Sequence, residues 1–258
     1  MRPALVIAAN TVREALRERL LHNLLVFAVI LIASSITISQ LTVGDQYRII
    51  ADVTESSTQV FGTLIAVFLS VSLLARELDR RTCYTALARP IGRGTFLLGK
   101  AVGLLVVVAA NALLMALAGL ATLALHAPDA GIPLGAFGAA FGLMVVQFAI
   151  CIGFAALFAP FTTPTLATVY TLAFVAAGHL FSDIRAFWLT NPRSGLKWLV
   201  SILDYALPNM GLLDLKEAVT YRDPVAWATL PWRAGYGLGY ALLLVALGAW
   251  IFSRRDVR

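Results

Sequence analysis

Charge is what this chain of 258 residues has least of: 13% of its residues are Asp, Glu, Lys or Arg, against about 25% in a soluble domain. Hydrophobic residues make up 60%, so the shortage excludes a water-soluble globule and indicates a membrane protein. Cysteine is almost missing as well. Cys83 falls in a charged loop and Cys151 in an apolar run, with no CxxC or Cys/His pattern around either, which excludes a disulfide framework and a metal site. No internal repeat or low-complexity stretch is visible, so nothing points to an inverted-repeat architecture or to a separate soluble domain. The apolar runs hold almost no ionisable side chains; Asn111, Gln147 and His179 are their main polar residues. An ion-coupled carrier or a membrane enzyme is expected to place Asp, Glu or Arg at mid-membrane. Any energy source therefore lies outside this polypeptide.

Two short patterns suggest chemistry and lack the rest of what it needs. GTFLLGKA, Gly94 to Ala101, has the Gly-x4-Gly-Lys spacing of a phosphate-binding loop, but position 101 is Ala where Ser or Thr ligates Mg²⁺. No strand precedes it, and a long apolar segment follows. His179, Ser182 and Asp183 evoke a hydrolase triad, yet three- and four-residue steps put them on one helix face in any case, and no GxSxG elbow accompanies them. The sequence thus carries no catalytic, cofactor or metal residue of its own. The net charge of +6 does not imply nucleic acid, because the basic residues lie between apolar segments and not in one aromatic-laced patch. Anionic lipid headgroups are the simpler partner.

What is present is six apolar runs, about 24–43, 57–75, 101–125, 134–159, 164–180 and 234–253. Each approaches or exceeds the roughly 20 residues that cross a bilayer as a helix, the form lipid imposes on a spanning backbone. The expected fold is an all-α polytopic membrane protein in one domain, 1–258. Lys and Arg cluster at the N-terminus, between 76 and 100, and at the tail, whereas the loop after the third run has none. Positive-inside bias then places both termini and the 76–100 loop on the cytoplasmic side, and the membrane is expected to be a plasma membrane, the bacterial inner membrane. The 181–233 connection falls outside, with GLKWLVSILDYAL and several Trp residues predicting short interfacial helices.

Residues 1–22 read as an amphipathic helix lying on the headgroups, with Leu5, Ala8, Ala9, Val12, Leu16 and Leu20 on one face and Arg13 and Arg17 on the other, Arg19 following. The segment ARELDRRTCYTALARPIGRGTFLLGK predicts a structured, Arg-rich loop ended by Pro90 and turned at Gly92 and Gly94. Glycines four apart, at 99/103, 131/135, 138/142 and 235/239, permit close helix approach.

At these residues a family resemblance becomes specific. Glu77, Thr82, LARPIGR (87–93) and LLGK (97–100) resemble the loop between the second and third spans of ABC-2 type transporter permeases. AANTVREALRERLL is similar to the lead-in helix of the multi-copper enzyme maturation permeases within that family, and DYALPNMGLLDLKEAVTY, with Pro208 and Asn209, resembles the Leu-Pro-Asn segment before their last span. The resemblance implies a six-span half-transporter, an exporter, that forms a homodimer and binds separate soluble ABC ATPase subunits, which hold the ATP and Mg²⁺. It places Glu77, Arg80, Arg81, Arg89, Pro90 and Arg93 in the ATPase-coupling loop, and Arg13, Arg17 and Arg19 on the lead-in helix. Alternatives are an integral membrane enzyme or assembly factor using His179 and the outer loop, or a passive channel or scaffold.

Overall fold

The computed structural model describes residues 2–40, 45–79, 92–128, 131–190 and 207–254. These residues form helices and turns, with no strand among them. In chain order the helices are α1 (Arg2–Ala15), α2 (Arg19–Gln40), α3 (Gln46–Asp79), α4 (Arg93–His126), α5 (Leu134–Phe158), α6 (Pro164–Thr190), α7 (Lys216–Tyr221) and α8 (Leu230–Arg254). Six of them, α2 to α6 and α8, are long and apolar enough to cross a membrane. The boundaries follow local chemistry. Pro164 opens α6, where its missing N–H costs nothing, and Thr162 Oγ1 donates to the Phe158 carbonyl, 2.9 Å, at the end of α5. Arg222 ends α7 in the left-handed conformation, φ 60°.

The order of burial tells which helices form the centre. In α5, 72% of the span is buried, against 22% in α2 and in α6. A helix apolar all round has to be enclosed by others, while one with a single packed side can leave the rest to lipid. α3, α4 and α8 pack around α5, and Phe148 of α5 is fully buried against Gly62 of α3. α3 and α4 each have 34 residues, about 51 Å of helix, so they extend well past a hydrocarbon layer of about 30 Å.

The chain direction alternates so that both ends of the described chain meet at one end of the bundle. There Ile7 of α1 packs on Phe96 of α4 and Phe252 of α8. At the opposite end Tyr47, Leu123, Phe137 and Val219 form a second cluster, and the Tyr47 hydroxyl donates to the Val219 carbonyl, 2.8 Å, docking α7 on the start of α3. These ends are the terminal pole and the far pole below. The interfacial helix expected in GLKWLVSILDYAL lies outside the described residues, apart from Leu207. The short helices after it are present: a 3-10 turn at Met210–Leu213, α7, and a 3-10 turn at Trp227–Thr229.

Candidate functional site

At the terminal pole α1 lies against the first half of α4. A Cβ on Gly99 would come within 2.9 Å of the Ala4 carbonyl oxygen, and one on Gly103 within 2.6 Å of the Ala8 carbonyl oxygen. The glycine pair therefore brings two backbones together within one chain. That contact also sets the rotation of α1. Of α1, Ala8, Thr11 and Ala15 are buried in the bundle, while Leu5 and Leu16 of the apolar stripe remain exposed on its outside. Small side chains belong where backbones nearly touch, and large ones are turned away. The helix also stops sooner than residue 22: a turn at 16–18 separates it from α2, which starts at Arg19.

Two ion pairs then tie this corner together. Lys100 Nζ of α4 is 3.1 Å from Glu14 Oε2, with the lysine side chain 3% exposed. Arg76 Nη2 near the end of α3 is 2.7 Å from Glu18 Oε1 in the turn. Arg76 lies in the last turn of α3 and Lys100 two turns into α4, so acids of the N-terminal segment hold both helices that flank the loop. The sequence pattern singles out neither Glu14 nor Glu18 as a partner of the loop. Glu14 and Lys100 are 86 residues apart in the chain, too far for any local signal. Of the loop residues predicted for coupling, Glu77 is in the last turn of α3 and Arg93 is the first residue of α4, and Arg80, Arg81, Arg89 and Pro90 lie outside the described residues. Arg13, Arg17 and Arg19 are exposed on the same corner.

Deeper in the bundle a polar node joins three helices. Gln59 Nε2 of α3 donates to Gln147 Oε1 of α5, 3.2 Å, and lies 3.1 Å from His179 Nε2 of α6. Gln147 Nε2 donates to the Met210 carbonyl, 3.2 Å, and His179 Nδ1 is 3.0 Å from the Val175 carbonyl. That arrangement suits a neutral imidazole with its proton on Nδ1 and its Nε2 accepting from Gln59. Gln147 and His179, isolated in the sequence, are thus members of one network through Gln59. Next to it, Asn209 caps the 3-10 turn by accepting from Leu212 N, 3.3 Å, and its own N–H donates to the Tyr236 hydroxyl, 2.9 Å. Pro208 is buried with its carbonyl against Gly178 of α6. The Pro208–Asn209 segment so fastens the far ends of α6 and α8.

The far pole is lined differently. A cavity of about 490 Å³ opens between the start of α3 and the end of α7, walled by Asp45, Arg48, Asp52, Val53, Thr220 and Tyr221 among others. Arg48 stacks 4.0 Å above the Tyr221 ring and donates to its hydroxyl. Lys216 Nζ is 2.9 Å from Asp52 Oδ1.

The family model for ABC-2 family transporter proteins matches residues 5–257, nearly the whole chain. The chain belongs to that family. No curated protein matches it. As an ABC-2 transporter protein it is an integral membrane permease subunit of an ABC transporter. The family implies association with ABC ATPase subunits, and its members are generally transport subunits without an ATPase site of their own. Within this ABC-2 protein the terminal corner built by α1, α3 and α4 carries Arg13, Arg17 and Arg19 and the helix ends at Glu77 and Arg93, while His179 belongs to a packing node.

Proposed function

We propose that the terminal pole of this ABC-2 protein receives a soluble ABC ATPase, and that ATP and Mg²⁺ bound there drive export of a substrate through a homodimer. The observation that carries this reading is the pair of contacts Glu14–Lys100 and Glu18–Arg76. They make the N-terminal segment and both flanks of the Arg-rich loop one mechanical corner, so a push on the loop reaches α3, α4 and α1 together. Glu77, Arg80, Arg81, Arg89, Pro90 and Arg93 form the docking loop, with Arg13, Arg17 and Arg19 beside it. Positive-inside bias puts this pole in the cytoplasm. For the second copy, Gly138 and Gly142 of α5 and Gly235 and Gly239 of α8 supply small-residue faces: a Cβ at any of them would meet nothing within 4 Å.

The test is purification of the full chain from its native membrane. A subunit that hydrolyses ATP is expected to accompany the wild type and to be lost on charge reversal by Arg89→Glu with Arg93→Glu. Purification of the chain with no ATPase, together with transport unchanged by the reversal, would overturn the reading.

A further inference from the structure

The terminal pole has a recess on its lipid-facing side. A cavity of about 370 Å³ lies between the turn after α5 and the last turns of α8, walled by Pro160, Phe161, Trp250, Ile251 and Arg254. Four of these are apolar and the fifth is a cation, with no acid beside it. Arg254 lies one turn beyond Trp250 on the same face of α8, and its guanidinium carbon is 4.1 Å from the centre of the Trp250 ring. The ring holds the guanidinium by its face, which leaves the N–H groups at the guanidinium edge to donate. Arg76 and Lys100 at the same pole are each matched with an acid, whereas Arg254 makes no ion pair among the described residues.

The apolar wall of the recess continues into the spans as aromatic rings. The ring of Phe161 is 5.9 Å, centre to centre, from Phe158 of α5, which in turn is 5.7 Å from Tyr170 and 5.4 Å from Phe174 of α6. Phe161, Tyr170, Phe174 and Trp250 are all exposed, on the sparsely buried helices α6 and α8 and the turn that leads into α6. A cation therefore stands at the end of the bundle with a run of exposed ring surface leading from it toward the membrane interior. A phospholipid has its parts in the same order, phosphate first and alkyl chains after. A second copy of this chain suits the recess less well: in a two-fold interface centred there, Arg254 would face its own symmetry mate, two cations with no acid between them.

We propose that this recess binds one anionic phospholipid, with its phosphate on the Arg254 guanidinium and an acyl chain along Phe161, Tyr170 and Phe174. A guanidinium fork donates to two oxygens of one phosphate. A headgroup that carries its own cation, such as phosphocholine, already satisfies part of that charge, so the site prefers a headgroup of net negative charge. The proposal goes beyond ATPase docking, since it uses none of the loop or lead-in residues.

The full chain, solubilised in detergent, is titrated with phosphatidylglycerol and, separately, with phosphatidylcholine, and the retained lipid is counted by native mass spectrometry. One phosphatidylglycerol is expected to be retained at concentrations where phosphatidylcholine is not, and its affinity to fall about tenfold or more in Arg254→Gln, the loss expected for a charge-assisted hydrogen bond. Arg254→Lys should fall between the two, and Arg17→Gln, at an exposed base of the same pole, should bind like the wild type. Equal retention of the two lipids, Arg254→Gln equal to wild type, or an equal loss in Arg17→Gln overturns the site. Displacement of the lipid by inorganic phosphate would assign a free anion, and a dimer lost in Trp250→Leu would assign a second copy; either result overturns the lipid. Should Arg254→Gln fail to fold, Trp250→Leu, which removes the ring that holds the guanidinium, is read by the same lipid criteria. The measurement contains no ATPase, so its failure and the failure of the docking reading are separate results.

Discussion

The two poles use acidic residues in opposite ways. At the terminal pole Glu14 and Glu18 are taken up inside the fold, each facing a base that flanks the loop. At the far pole the arginines lie on tyrosine rings and the carboxylates remain in excess. The first arrangement joins elements of the same chain and makes a stiff corner. The second leaves residues 45–55 and 214–223 with more acids than bases. Similar residue types thus join elements at one end and stay in excess at the other, and the difference comes from which partner the fold sets beside each acid.

The largest expected effect is at the terminal corner. Gly103→Leu forces a side chain against the Ala8 carbonyl and Thr11, and overpacking of that kind costs about 3 kcal/mol. Thermal unfolding of the detergent-solubilised chain measures it. Next is Gln147→Leu, which removes the donor to the Met210 carbonyl and the acceptor for Gln59, at about 2 kcal/mol. Hydrogen exchange should rise first in 207–213, where that carbonyl lies.

Smaller effects test whether charge or packing holds α1. Glu14→Gln weakens the contact to Lys100, and because the Glu14 side chain is 39% exposed the loss should be about 1 kcal/mol, well short of a fully buried pair. A loss greater than that of Gly103→Leu would mean that the ion pair, not the glycine contact, fastens the helix. Glu18→Gln should cost least, below about 0.5 kcal/mol, since Arg76 is 47% exposed. Repeating that comparison in high salt should erase the difference from wild type, as screening weakens exposed pairs first.

Much of the architecture was legible before any coordinates. The apolar runs announced the membrane, and the run at 134–159 matched α5, Leu134–Phe158, closely. The run at 57–75 was too short, because α3 starts at Gln46: its first turns carry Asp52 and Glu55, which look like loop until α7 is seen packed beside them. The lead-in helix and its apolar stripe were legible, but the Ala8 and Thr11 face that meets α4 was not, since the glycines that receive it, Gly99 and Gly103, belong to another helix. His179 was noticed as polar and apolar Gln59 neighbours hid its partner, 120 residues away.

By itself the sequence determined that this chain is a helical membrane protein, where its spans run, and where its basic loop lies. Those properties are local: a helix in lipid satisfies its backbone within each segment, and hydropathy is summed along consecutive residues. Tertiary structure alone decided that Lys100 faces Glu14, that Gln59 gathers Gln147 and His179, and that Glu55 is enclosed without an ion-pair partner among the described residues. Each of these depends on how helices distant in the chain are rotated against one another, and that rotation is set by the packing of small against large side chains, which no single segment contains.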